Sequence, residues 1–434
     1  MTRSLTRLSL VASLALLGSA SHLWAQDADS KFREGLDLLK RGEAEAALVA
    51  FQDALAADPS QEMAYDLWQQ TDTDLWLKLL AKEGQYELIA KRFMHLAEMG
   101  RKARTNDQDV IRELIGDLAA PDRATRVAAE RKLAADHGEF AVPFLVYRLA
   151  DQGNDDLRTT AMVTLPRLGD QVVPPLVEAL ATSDAFLRRN VAAVLGYVSD
   201  PRAAGPLAKL VETDEDPVVR EVAQQSLERC GGAPAGALDA LLVLGNAYHN
   251  ELPGALRPHQ YSGVIWEWQG NKLEPIETPR FLYRHEMAKK AYYDALDLAP
   301  NSSAALAGVA RVTVAEQELV AEWSAVGVEL GAWEARLASD ELAVAMAGAD
   351  ALDGALASAL AQRDEVAASG LARALAHSAN APTPALEDAM LRSTSGAVRG
   401  EAAIALAHIA VRANAAAGQD VVQALGDAAG RDGM

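Results

Sequence analysis

The sequence predicts an all-α protein: an α-solenoid of stacked helical hairpins with one small β-hairpin insert. Three observations carry this. Half of the 434 residues are apolar, yet aromatic residues make up only 5%, and alanine, the strongest helix former, is abundant. A unit of about 31 residues recurs, the length of two short helices and their turns. Alternation of the strand type occurs at one place, on either side of a Gly-Asn turn at 270–271. The formal charge of −20 argues against a general nucleic-acid binder, which needs a cationic face for phosphates. A single cysteine, Cys230, excludes an internal disulfide framework.

Residues 1–25 read as a secretory signal. Arg3 and Arg7 form the positive start, Leu8 to Leu17 the short apolar stretch, and Leu23-Trp24-Ala25 the cleavage site before Gln26. Cleavage there leaves 39 basic and 61 acidic residues, a balance of −22. No later segment is apolar for long enough to span a bilayer. The expectation is a soluble protein exported to the bacterial periplasm or beyond.

Residues 26–104 form the first helical segment. Gly35, Ala47, Phe51, Ala54 and Pro59 supply a small residue for close helix approach, a large one to fill the gap, and a proline stop. These positions resemble a tetratricopeptide repeat. A weaker continuation follows at Gly84, Ile89, Phe93 and Leu96, with Trp68 and Trp76 expected to pack between helices.

Residues 105–232 carry the four-fold recurrence. Arg126, Arg158, Arg189 and Arg220 are spaced by 32, 31 and 31, and each is followed three residues later by Ala129, Ala161, Ala192 or Ala223. Pro143, Pro174 or Pro175, and Pro206 recur in step, where each can open a helix without losing a hydrogen bond. Asp216-Pro217 reads as a helix cap followed by proline at the first helical position. The pattern, most typical over 195–204, resembles HEAT repeats in the short form also found in bilin-lyase-like proteins.

Between 233 and 310 the tetratricopeptide-like pattern returns in two halves. Leu244-Gly245 and Tyr248 match its first helix; Ala288, Tyr292, Ala295 and Pro300 match its second. The intervening excess holds Val264 to Trp268, a turn at 269–272, and a second extended run from Leu273 to Ile276, hence a hairpin inserted at about 260–280. Residues 311–434 are alanine-rich and read as divergent HEAT-like helices. Arg399, Ala402 and Leu406 reproduce the spacing of Arg220, Ala223 and Leu227, and a last helix runs from Val421 to Ala429.

The candidate sites follow from this organisation. The arginine row Arg126, Arg158, Arg189 and Arg220 could face an anion, but identical phase in every unit is what stacking requires. The resemblance implies a structural ladder tied through Asp122, Asp155, Asp184 and Asp216. His249, His259 and His285 gather around the insert. His285-Glu286 begins like a zinc-protease helix, yet Lys289 stands where the second histidine belongs, so no metal is expected. Cys230 lacks a local base or cation cluster and reads as a structural thiol. No nucleophile elbow, phosphate loop or dinucleotide turn occurs, so neither catalysis nor a cofactor is expected.

The insert is the aromatic centre of the chain. Of 7 Phe, 9 Tyr and 7 Trp, eight fall within 248–293. Tyr261, Trp266, Trp268, Phe281 and Tyr283 are the candidate partner-binding residues. Trp266 and Trp268 are two apart and share one strand face. Displayed, they form a hot spot for a peptide or a stacking platform for a sugar; turned inward, they fasten the hairpin to the helices. Three functions remain on this reading: a non-enzymatic scaffold that binds other proteins, an envelope-polysaccharide module using Trp266 and Trp268, and, by resemblance alone, a bilin-lyase-like enzyme.

Overall fold

The computed structural model describes residues 28–82, 84–256, 263–325 and 330–432. The leader, His259 and Tyr261 lie outside them. The chain forms two compact units. One takes in the chain up to Asp117 together with Arg131–Phe140; the other takes in Leu118–Glu130 and everything from Ala141 onward.

The first unit contains α1 (28–40), α2 (Ala44–Ala56), α3 (Gln61–Gln70), α4 (Thr73–Leu80), α5 (Gln85–Thr105) and α6 (Gln108–Asp117). Its centre is aromatic: Phe32 lies 4.5 Å from Phe93, 5.2 Å from Phe51 and 5.4 Å from Trp76, between ring centroids. Gly35 makes room for this, because a Cβ there would fall 2.7 Å from the Phe51 ring. Trp76 is buried as expected, but Trp68 is not. It remains 42% exposed and stacks on Tyr65, its neighbour one helical turn away.

In the second unit, helices alternate in two rows. The arginine-bearing helices are α7 (Arg123–Lys132, which belongs to this unit as far as Glu130), α9 (Asp155–Arg167), α11 (Ala185–Val198) and α13 (Pro217–Arg229). Each starts on a side-chain cap: Asp122 accepts from Thr125 N–H, Asn154 from Leu157, Asp184 from Phe186 and Asp216 from Val218. The alternate helices are α8 (Val142–Leu149), α10 (Val173–Ala179) and α12 (Ala204–Thr213). Proline opens α8 and α10, where a missing N–H costs no helical bond.

The second row continues into α14 (Ala237–His249), which packs on α12 through the Gly205–Leu241 contact. There follow β1 (Val264–Gln269), β2 (Lys272–Glu277), α15 (Arg280–Leu298) and α16 (Ser303–Ala325). Next come α17 (Gly331–Ala345), α18 (Ala349–Gln362), α19 (Glu365–Ser378), α20 (Pro384–Arg392), α21 (Gly396–Arg412) and α22 (Gln419–Asp432). Helix α22 runs three residues past the expected stop at Ala429. One continuous core extends from Tyr248 and Ile265 through α15, α16 and α17 to Ile409. The architecture is all-α with a two-stranded antiparallel hairpin, as the sequence predicts.

Helices α14 and α15 pair although the hairpin separates them in sequence. Tyr292 joins them: a Cβ at Gly245 would come within 2.5 Å of its ring, and one at Gly308 of α16 within 2.7 Å. The buried ring thus fills a slot opened by two glycines on two helices, and its hydroxyl donates to Asn246 Oδ1 at 2.9 Å.

Candidate interaction surface and the buried insert

The hairpin closes through Gly270 and Asn271, both at positive φ (55° and 68°), the conformation a two-residue turn needs to match strand twist. Gln269 faces Lys272, Trp268 faces Leu273 and Trp266 faces Pro275. The last pair lies three residues beyond the bonded closing pair Gln269–Lys272, at a position where an antiparallel ladder makes no cross-strand bond, so the missing N–H of Pro275 is tolerated.

Both faces of the hairpin are covered. Ile265 enters the core with Leu282, Met287, Trp333 and Leu337. On the opposite face Val264, Trp266 and Leu273 are also buried, and the strands lie against α8 and α10. Trp266 is 2% exposed. Of the two readings of the Trp266/Trp268 face, the inward one holds: Trp266 is core, and Trp268 is half-buried. The period-2 pattern gives their shared face but not what lies over it. Phe281 is half-buried and stacks flat on Trp323, with centroids 4.9 Å apart. Tyr283 is also half-buried.

Charged contacts fix the insert and α15 onto the second-helix row. Lys290 of α15 pairs with Glu178 of α10 at 3.1 Å. Lys209 of α12 reaches Asp294 at 2.6 Å and Asp297 at 2.8 Å. Burial first, opposed by Lys290, holds the Glu178 carboxyl above its usual range. On the other side Glu267 of β1 pairs with Arg336 of α17 at 3.0 Å.

A buried charge cluster lies beside this contact. Glu286 (α15), Glu316 (α16) and Asp340 (α17) bring carboxylate oxygens within 4.8 Å of one another, a spacing that could hold a cation. The Lys289 ammonium stands at their meeting point, 2.5, 2.7 and 2.6 Å from the three. Burial alone would lower the Lys289 pKa, but the three carboxylates more than offset it and hold it raised. Burial pushes the Glu316 carboxyl well up. The lysine at the second-histidine position is thus the positive centre of an internal salt-bridge knot.

The arginine ladder is present, with one change of residue. Arg126 Nη1 donates to the carbonyls of Ala120 and Pro121, Arg158 Nη1 to Asp151, and Arg220 Nη1 to Asp214 and Glu215. In the third unit this role belongs to Arg188, which donates to the Thr182 carbonyl at 2.8 Å. Arg189 instead lies over the Phe186 ring at 4.8 Å and bonds Asn190. The spacing to the following alanine points to Arg189, whereas counting four residues from the cap at Asp184 gives Arg188. The aspartate ties are also fewer than expected. Arg158 pairs with Asp155 at 2.5 Å, while Asp122, Asp184 and Asp216 serve as helix caps. Arg399 repeats the Arg220 contact, donating to Ser393 and Thr394 carbonyls.

The first-helix row carries exposed groups on consecutive helices: Val163 on α9, Tyr197 on α11 and Val218 on α13, at 44, 57 and 47%. The Arg229 guanidinium of α13 lies 5.1 Å over the Tyr197 ring. Sequence reading passed over Tyr197, whose signal is an aromatic on a helix face otherwise set by repeat packing. Cys230 is buried, its thiol donating to the Leu195 carbonyl, and burial pushes it up to about 11. That thiol is protonated at neutral pH and is no nucleophile at rest.

The HEAT-repeat family model matches residues 142–228, from the start of α8 to the end of α13. No curated protein matches the chain. The segment is a run of HEAT repeats, and the helical pairs on either side of it are repeat-like.

Proposed function

We propose that this chain is a non-enzymatic, exported protein-interaction scaffold of the bacterial periplasm, which binds its partner on the first-helix row of the HEAT segment. The observation that carries this reading is the asymmetry of the two rows. The protein's own hairpin and α15 pack on α10 and α12 of the second-helix row and leave Tyr147 of α8 exposed at its end, whereas on the first row Val163, Tyr197, Val218 and Arg229 stand exposed on three consecutive helices. Stacked repeats preorganise such a surface, so little ordering is needed on association. Tyrosine and arginine are the residue types that most often dominate binding energy. Polysaccharide stacking on Trp266 is disfavoured by the burial of that indole.

The test is affinity capture from periplasmic extract with chain 26–434, beside a Tyr197→Ala/Arg229→Ala version. A protein held by the first and lost by the second supports the reading. Equal recovery removes the first-helix row as the site, and retention of glycan but no protein overturns the scaffold. N-terminal sequencing of the exported protein is expected to begin at Gln26.

A further inference from the structure

Three buried polar atoms around the junction of α14, α15 and α16 have no hydrogen-bond partner among the described residues: Nδ1 of His249, Nδ1 of His285 and Nε of Arg311. Buried polar atoms are nearly always satisfied, so a group of orphans marks a place where something else bonds. The two imidazoles meet edge to face, with centroids 5.6 Å apart. His285 forms the floor at 1% exposure. Arg284 bonds it directly, and Arg311 of α16 acts on His249 beside it, their side chains 35% and 23% exposed.

The hydrogen-bond geometry gives the sign of the missing partner. Arg284 Nε donates to His285 Nε2 at 3.1 Å. A nitrogen that accepts carries no proton of its own, so the neutral His285 ring holds its hydrogen on Nδ1, and that orphan is a donor. Arg311 spends Nη1 on Asp364 at 3.0 Å and Nη2 on Asn246 and Tyr292 at 3.2 and 3.3 Å, which leaves its Nε–H, also a donor. A metal ion needs a lone pair at His285 Nδ1 and meets a proton there, with two guanidiniums nearby. An acceptor-only group meets none of these obstacles. Glu251 and Asp364 balance the two arginines at 3.1 and 3.0 Å but reach neither orphan histidine nitrogen.

We propose that His249, His285, Arg284 and Arg311 form a binding site for a small oxyanion, of the phosphate or carboxylate kind. The site lies on the α14–α16 helices, apart from the first-helix row, so its test is independent of the partner surface.

The experiment titrates chain 26–434 at pH 7 with sodium phosphate and, separately, sodium acetate, against sodium chloride at matched ionic strength. Imidazole 1H–15N correlations and the thermal midpoint are recorded together. Saturable shifts of the His249 and His285 ring signals and a midpoint rising above the chloride control are expected. Phosphate or acetate giving the larger response identifies the class. Arg311→Lys keeps the charge but removes the Nε–H, and is expected to weaken binding about tenfold, the worth of one charged hydrogen bond. His249→Gln, at a half-buried rim position, is the second variant and is expected to weaken it as well. Indistinguishable responses to both anions and chloride, or full affinity in both variants, overturn the site. Should Arg311→Lys not fold, the ring signals of the parent chain and His249→Gln still decide.

Discussion

Arg188 holds Asp214 across the boundary between two consecutive HEAT units, with Nε at 2.7 Å and Nη2 at 3.1 Å from the two carboxylate oxygens. The Asp214 side chain is 2% exposed. Burial alone would raise its pKa, but Arg188 and the Asp216 N–H more than offset this and hold it low. The pair therefore contributes stability at neutral pH that is lost as pH falls through the lowered value. Arg188→Ala leaves an uncompensated buried carboxylate and is expected to cost about 3 kcal/mol. Arg189→Ala, which removes a partly exposed ring contact, is expected to cost less than about 1 kcal/mol. Hydrogen exchange over 182–220 in the two variants distinguishes them; equal loss of protection contradicts the assignment of the ladder to Arg188.

Gly245→Ala puts a methyl group against the Tyr292 ring, whose atoms lie 2.5 and 2.8 Å from where the new Cβ would stand. Alanine in a helix interior normally gains about 1 kcal/mol over glycine. Here the clash is expected to outweigh that gain, with a net loss of about 1–3 kcal/mol. Combining it with Tyr292→Leu should be less than additive, because the smaller side chain vacates the disputed space. Additive losses in urea unfolding would show that the two sites do not share one slot.

Trp266→Ala is expected to cost about 3–5 kcal/mol, since it empties a buried site in a hairpin held on both faces. Trp268→Ala, at a half-buried position, should cost distinctly less. Tryptophan fluorescence of the single variants provides the check. A Trp266 emission matching that of an indole in water contradicts the packing described.

Lys289→Met removes the ammonium shared by Glu286, Glu316 and Asp340 and leaves three carboxylates facing one another at a buried site. An expected loss of about 3–5 kcal/mol follows, the usual result of breaking a buried ionic network from one side. Glu316→Gln should cost less than Lys289→Met, because it removes the carboxyl that burial opposes and leaves Glu286 and Asp340 to balance the ammonium. The double variant is expected to be more stable than Lys289→Met alone. If it is less stable, the cluster does not act as one unit.

How far the sequence reaches can be judged from particular residues. The hairpin is legible because a Gly-Asn turn and period-2 alternation are local properties, and the HEAT units are legible because stacking repeats the same local contacts. Gly245 and Tyr292 are legible as a small and a large residue, although their meeting across the insert depends on tertiary packing. What lies over a strand face is not local, so the sequence leaves the inward and the displayed reading of Trp266 both open, and only the packing of the hairpin on α8 and α10 decides for the inward one. The same holds for Lys289, which only its position opposite Glu316 and Asp340, some 30 to 50 residues away, makes a charge centre. Arg188 was within reach: counting from the cap at Asp184, rather than back from Ala192, selects it.

The acid limb of stability should carry the mark of His285. Burial, with Arg284 and His249 adding repulsion, lowers its pKa to about 3. In the unfolded chain a histidine titrates near 6.5. Above that pH neither state binds the proton and His285 contributes no slope. Below it the unfolded chain takes up a proton that the folded chain refuses, so stability falls with decreasing pH until the folded value is reached. The slope amounts to about 1.4 kcal/mol per pH unit for one such group. His249, held low by burial and by Arg311 and Arg284, acts in the same direction. His285→Gln removes the titrating ring while keeping a polar side chain, and should flatten the fall in thermal midpoint between about pH 6.5 and 5, above the range where most carboxylates titrate. An unchanged limb in that window would mean that the folded protein protonates His285 as readily as the unfolded chain does.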